Sequence, residues 1–335
     1  MSAVNITLIA NELGISPSTV SRALKKPDMV SLDTRHKVLS MAEKMGYLQK
    51  LRDDITVTSS SKLIGVIVAD LTNSFSNEIV KTVTDYLDAH NYAAIVGCNY
   101  EQSGIESKLL KQWASLNLRG LIVMPTAKFS KTMSSCMLDM PVVLVDRQSS
   151  SLHCDSVIED NKGGVIQVID YLVELGHEKI SFISGSRNVY TFAQRCLGAS
   201  ESGAKVEIQE VIADSYEELF VSAFEQTNIL MMRSMNTRPT AIVGANNAIT
   251  SGILYALNLK GFKVPNDVSV VSYGDSDWCR FYPTPITSVC QPIEEMGQKA
   301  ASLLLDRING SKDAQNNICL KSMLLRRAST ASPTK

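Results

Sequence analysis

From Lys62 onward the chain alternates short apolar runs with longer amphipathic stretches, and that alternation leaves few folds open. The runs LIGVIVAD (63–70), YAAIVGCN (92–99), GLIVMP (120–125) and VVLVDR (142–147) form one series. KISFISGS (179–186), VEIQEVIA (206–213), AIVGAN (241–246) and VSVVSYGD (268–275) form another. Between the runs, Asn77 to Leu87, Gly163 to Leu175, Ala248 to Leu259 and Ile293 to Ile308 carry helical periodicity. Apolar β-branched runs separated by helices mark βαβ units, whose parallel sheets are buried on both faces. The opening runs of the two series lie about 116 residues apart and the third runs about 120. This near-duplication predicts an α/β body of two similar doubly wound subdomains. Ligands of such folds sit at the carboxyl ends of the strands, so two facing subdomains place a crevice between them.

The first residues are different in kind. Although the net charge of the 335-residue chain is only −1, residues 1–52 carry eight Lys/Arg against four Asp/Glu, and the remainder 25 against 30. A basic head on an acidic body predicts two tasks on one chain. Ile6 to Leu13 reads as a helix with Ile6, Ile9, Ala10 and Leu13 on one face. Gly14 is placed to end it in the left-handed conformation. Ser16 as N-cap and Pro17 at the first helical position then start a second helix to Leu24, with Val20 and Leu24 inward. A third begins near Ser31 and runs Leu32 to Met45.

Two short helices joined through Gly predict a helix-turn-helix whose second helix enters the DNA major groove. Ser18 and Arg22 face outward toward base edges, where Arg matches guanine N7 and O6. Thr19, Ser21, Ser31, Thr34 and Arg35 suit phosphates, which position a head without reading sequence. Pro17, which opens the helix, belongs to the same DNA-facing set.

Other classes are poorly matched. Seven cysteines are scattered with no C-x-x-C, which argues for reduced thiols rather than a disulfide frame or a zinc site. No signal peptide is visible and no apolar run approaches the ~18 residues of a membrane span; a cytoplasmic protein is expected. The chain lacks G-x-G-x-x-G after a strand, G-x-x-x-x-G-K-[ST], G-x-S-x-G and H-E-x-x-H. Those patterns supply the phosphate cradles, nucleophiles and metal ligands of common enzymes. Gly163-Gly164 reads as a helix start. None of His36, His90, His153 and His177 is paired at metal-ligand spacing. No enzyme activity, cofactor or metal is expected.

The run IANELGISPSTVSRALKKPDMVSLDTRHKVLSMAEKMGY resembles the head of the lactose/galactose-repressor (LacI/GalR) family of bacterial transcription regulators. It matches at Ala10, Gly14, Ser16, Thr19-Val20-Ser21-Arg22, Val30-Ser31, Thr34-Arg35, Val38 and Gly46-Tyr47. The body is similar through Ile64-Gly65, Leu71 to Phe75, Val145-Asp146-Arg147, Asp160-Asn161, Leu175-Gly176-His177 and Arg195. Ala245-Asn246, Val264-Pro265, Ser269 to Tyr273 and Pro285 to Gln291 extend the likeness, which covers residues 4–328.

The resemblance implies a helix-turn-helix domain (1–48), a hinge or linker (49–61), an effector-binding and dimerisation domain (62–328) of periplasmic-binding-protein-like fold, and a flexible tail (329–335). It implies a homodimer on operator DNA, controlled by a small effector that is a sugar, sugar acid or sugar phosphate. Matched pocket positions are Asp146, Arg195, Asn246 and Gln291, with Phe75 as the pocket aromatic and Asn73 beside it. Carboxylate, amide and guanidinium groups around an aromatic face are what a polyol requires.

Departures from the family pattern are instructive. Asn247 stands where Asp is common, and Gly274 occupies the position of a pocket Asp, leaving Asp275 one place later to take its role or to face solvent. The segment after Arg195 (CLGASESGAK) lacks the longer helix usual there. In the linker, Gln49 and Lys50 replace Pro-Asn, and Asp53-Asp54-Ile55-Thr56 replace Ala-Arg-x-Leu. Two carboxylates oppose an approach to phosphates. The linker therefore either wedges Ile55 or Leu51 into the minor groove in another register or stays clear of DNA. The tail shows no leucine heptads, so no tail-mediated tetramer is expected. The alternative function is a carbohydrate sensor acting through a protein partner, with weak or non-specific DNA binding.

Overall fold

Glycine and hydroxyl punctuation shapes the head as expected. The computed structural model describes residues 6–25, 29–47, 62–129, 140–149, 152–213 and 215–333. It divides the chain into two compact units, Met1–Lys62 and Leu63–Lys335. In the first, α1 (Ile6–Leu13) stops at Gly14, whose φ is +62°. Ser16 Oγ accepts from Thr19 N (3.2 Å) at the start of α2 (Pro17–Lys25). Ser31 caps α3 (Leu32–Lys44) through Thr34 N. Ile9, Ala10, Val20, Ala23, Val38 and Ala42 are buried together, with Leu13, Leu24 and Tyr47 packed on them. The linker 49–61, with Leu51, Asp53, Asp54, Ile55 and Thr56, lies outside the described residues.

The body begins with β1 (Leu63–Val68), α4 (Ser74–Ala89), β2 (Ala93–Cys98), α5 (Ser103–Trp113), β3 (Gly120–Val123), β4 (Val142–Val145) and β5 (Asp155–Glu159). It then crosses to a second lobe. There follow α6 (Asn161–Glu174), β6 (Ile180–Ser184), α7 (Tyr190–Glu201), β7 (Val206–Glu210), α8 (Tyr216–Met231) and β8 (Ala241–Gly244). The lobe closes with α9 (Asn247–Leu259), β9 (Ser269–Tyr273), α10 (Trp278–Phe281) and β10 (Thr287–Cys290). The chain returns through α11 (Ile293–Ile308) and β11 (Asn317–Leu320) and ends in β12 (Met323–Leu325).

Strand order is β11-β5-β4-β3-β1-β2 in one sheet and β12-β10-β9-β8-β6-β7 in the other. All pairs are parallel except β10 with β12. This is the two-lobed doubly wound architecture expected from the runs. Helix α11 belongs to the first lobe, because Met296, Ala300, Ala301, Leu304 and Leu305 join the cluster of Ile79, Val83 and Val143. Full burial of one such leucine is worth about 1.5–3 kcal/mol. In the second lobe Gly198 lets α7 seat directly on α6, for a Cβ there would stand 2.5 Å from Lys162 O.

Consequently the chain passes between lobes three times, at Glu159–Asn161, Cys290–Ile293 and Leu320–Met323. The expectation of a flexible tail from residue 329 is corrected. Ser329 is fully buried and its Oγ donates to Val270 O (2.6 Å) while accepting from Thr287 N (2.8 Å). Ala331 N donates to Ser269 Oγ (3.1 Å), and Ala331 O is 2.9 Å from buried His177 Nε2. These small hydroxyls satisfy the backbone beside β9 and β10, so the C-terminal segment is part of the second lobe.

Candidate DNA-reading head and interlobe site

On the head, Pro17, Ser18 and Arg22 are exposed on α2, with Thr19 and Ser21 half-buried beside them. Ser16 Oγ lies 2.8 Å from both Ser18 Oγ and Thr19 Oγ1, so these hydroxyls hold one another at the helix start. Ser31 and Thr34 do the same at the start of α3 (Oγ to Oγ1 2.8 Å), with Arg35 one position on. Helix N-termini with orphan N–H groups favour phosphate oxygens.

Between the lobes, two buried charged side chains, one from each lobe, lie close enough to influence each other electrostatically. Asp146 follows β4 with a left-handed φ of +70° and its N–H bonded to Val157 O (2.9 Å). Burial lifts its carboxyl from 3.8 to about 6, against the pull of Arg147 and of Arg195. Arg195, on α7 of the second lobe, is also buried; its Nε donates to Asn161 Oδ1 (2.7 Å) and its Nη1 to Ala245 O (2.8 Å). Its guanidinium lies 3.9 Å from the centre of the Tyr273 ring. A guanidinium has five donors, so Arg195 keeps donors beyond these two bonds.

Arg147 is buried and paired with Glu101 (Nη1 to Oε2, 2.6 Å). Burial works against its charge, but Glu101 and Asp146 outweigh it and raise its pKa above the ordinary value.

The remaining candidates divide. Asn246 caps α9, its Oδ1 accepting from Ile249 N (2.8 Å), which leaves Nδ2 without a hydrogen bond among the described residues. Asn73 likewise caps α4 through Phe75 N (3.1 Å). Phe75, expected as the pocket aromatic, packs into the core of the first lobe. It is buried in the cluster of Ile64, Val66, Val68 and Ile79, because the first turn of α4 packs down onto the sheet. Gln291 lies in the second crossover and donates its Nε2 to Glu159 Oε2 (2.6 Å).

Asp275 is corrected as well. It neither faces solvent nor replaces a pocket carboxylate. Both its oxygens accept from Arg327 (2.6 and 2.9 Å), and Ser288 Oγ donates to it at 2.7 Å. Burial would raise its pKa, yet Arg327 and Ser288 hold it below the ordinary value.

Gly274 explains the paired departures. Its φ is +102°, and a Cβ there would stand 2.9 Å from Asn247 Nδ2 and Oδ1. Asn247 thus fills the space a side chain at 274 would need. Its Oδ1 is buried without a hydrogen-bond partner among the described residues, while its Nδ2 reaches Ser74 Oγ of the first lobe at 3.4 Å. Residues the sequence reading did not select include Glu159, Asn161, Tyr273 and Tyr190. Tyr190 is a half-buried aromatic at the start of α7 whose phenol is raised by burial first, then by Cys319 and Asp146.

Residues 5–49 match the model of bacterial regulatory proteins of the lacI family, and residues 169–330 that of a periplasmic-binding-protein-like domain. The chain carries the DNA-binding domain of the lacI family together with a periplasmic-binding-protein-like domain. Among curated relatives, it is 28% identical over 320 residues to the HTH-type transcriptional repressor PurR of Vibrio atlanticus, covering 92% of this chain and 93% of that one. Its fold is that of the lac repressor dimer bound to operator and the anti-inducer ONPF (TM-score 0.73, 24% identity, 98% and 100% covered). It is also that of a LacI family transcriptional regulator from Enterococcus faecium with bound ribose (TM-score 0.73, 22% identity, 81% and 100% covered). The chain is a DNA-binding transcriptional regulator of this family. Among the described residues, no helix is long and apolar enough to cross a membrane, and no cluster of His, Cys, Asp and Glu could hold a metal ion.

Proposed function

We propose that the protein is a homodimeric cytoplasmic repressor whose operator affinity is set by a neutral carbohydrate-type molecule bound between the lobes. The observation that carries this reading is that Asp146 and Arg195, buried and on opposite lobes, lie within electrostatic reach of each other, both with hydrogen-bonding capacity left. A molecule that engages both bridges the lobes, and so binds one interlobe arrangement better than another. Only such a difference in affinity can shift the head's equilibrium on DNA.

Charge favours a neutral ligand over the sugar acids and phosphates. Arg147 is already neutralised by Glu101, and Arg195 lies 3.6 Å from Glu159. An added anion would meet no spare cation while approaching Asp146. Hydroxyls suit Asp146, the Arg195 donors, Asn246 Nδ2 and the unpartnered Asn247 Oδ1, and the half-buried Tyr190 ring offers a face for C–H groups. Exposed Val221, Tyr255 and Leu259 on the packed pair α8 and α9 support pairing with a second copy.

Calorimetric titration of the full chain with D-ribose, D-xylose and their aldonic acids and 5-phosphates tests the ligand. The reading expects a neutral sugar to bind, and Arg195→Ala to weaken it more than about tenfold (about 1.4 kcal/mol) without weakening DNA binding. Preference for an acid or phosphate, or equal affinity in Arg195→Ala, contradicts it.

A further inference from the structure

Glu159 is the last residue of β5 and enters the first interlobe crossover. Its side chain is fully buried. Its Oε1 accepts from Tyr273 OH (2.7 Å) and from Ser322 Oγ. Its Oε2 accepts from Gln291 Nε2 (2.6 Å) and lies 3.6 Å from Arg195 Nη2. Gln291 is in the second crossover and Ser322 in the third. One carboxylate therefore joins all three interlobe connections. It is also joined to the tyrosine on which Arg195 stacks.

A charge buried this deeply is costly unless hydrogen bonds compensate it, and bonds to an ionised acceptor are the stronger kind. Three donors from three separate segments converge on this carboxylate, and each would lose a charged acceptor if the lobes moved independently at one crossover. We infer that Glu159 is a positioning residue that clasps the three crossovers into one cooperative hinge and ties that hinge to Arg195. Bending at one crossover then disturbs the other two, and the orientation of Arg195 follows the hinge. The link from Arg195 to an effector rests on the function proposed above; the clasp does not.

Amide hydrogen exchange on the full-length protein, with neither DNA nor ligand present, tests the clasp. Ser322→Ala removes one donor in the third crossover. Because Ser322 and Gln291 are joined through Glu159, exchange should rise about tenfold or more in residues 289–293 as well as in 319–323. A rise confined to 319–323 overturns the proposal. Glu159→Gln keeps the shape but replaces one acceptor by a donor facing the Gln291 amide. It should loosen 157–161, 289–293 and 319–323 together while β1 and β6 keep wild-type exchange. Loosening of β1 and β6 to the same degree means general destabilisation, and also overturns it. If Glu159→Gln does not fold, the Ser322→Ala comparison decides alone. Failure here leaves the repressor reading intact, and failure of that reading leaves this result unchanged.

Discussion

Replacing Asp146 by Asn should make the ligand-free protein more stable at neutral pH while weakening its ligand binding. Asp146 is 5% exposed, so solvent screens its charge little. Burial lifts its carboxyl from 3.8 to about 6 despite Arg147 and Arg195. Each pH unit of that displacement is worth about 1.36 kcal/mol, so the ionised form costs the fold about 3 kcal/mol. The folded state holds this proton more tightly than the unfolded chain. The cost is therefore absent below pH 3.8, grows as pH rises, and is complete above about pH 6.

Asn carries no charge and tolerates the left-handed φ of +70°. Urea unfolding can be followed by tryptophan fluorescence, since Trp113 reports the first lobe and Trp278 the second. The variant should exceed wild type by up to about 3 kcal/mol near pH 7.5, with the gap closing by about pH 4. A variant no more stable than wild type at neutral pH, or a gap independent of pH, refutes the reasoning. A carboxylate kept at such a cost fits a group retained for binding, the usual exchange of stability for function.

Two further substitutions separate the head from the body. Arg22→Ala should cost about 1–3 kcal/mol of preference between operator and unrelated DNA, measured by competition gel shift, without changing ligand affinity; unchanged sequence preference would remove Arg22 from the reading face. Arg327→Met strands the buried Asp275 carboxylate without its two-pronged partner. It should destabilise the second lobe by about 3–5 kcal/mol in the same urea assay, and a loss below about 1 kcal/mol would mean that Ser288 and Arg280 suffice.

What the sequence made legible follows from how each element is buried. β1, β3, β4, β6, β8 and β9 stand out because interior parallel strands are covered on both faces and read as apolar runs, while the edge strands β2 and β7 show through the apolar residues they pack against the core. β5, β10, β11 and β12 do not, because strands at the crossovers mix in polar residues that tertiary partners satisfy. Asp155, for example, sits in β5 because Arg307 holds it bidentately (2.7 and 2.9 Å) across the lobe and Asn316 N donates to it (2.8 Å).

The head was readable from its caps, which are local. The interlobe site was readable in part. Asp146 and Arg195 do lie within electrostatic reach of each other, but Phe75 had a sheet beneath it, and Asp275 had a partner 52 residues away in Arg327. Glu159, beside Asp160, looks like a surface pair in sequence. Its donors come from residues 273, 291 and 322, which no local pattern connects to it.

The central claim, a sequence-specific DNA regulator, is tested most directly by capturing genomic fragments on the purified full-length protein at moderate salt and sequencing them. A few pseudo-palindromic sites, with half-sites spaced as a two-fold dimer requires and lying beside sugar-uptake or catabolic genes, are expected. Only salt-sensitive, sequence-blind binding would contradict it, and would favour a carbohydrate sensor that acts through a protein partner.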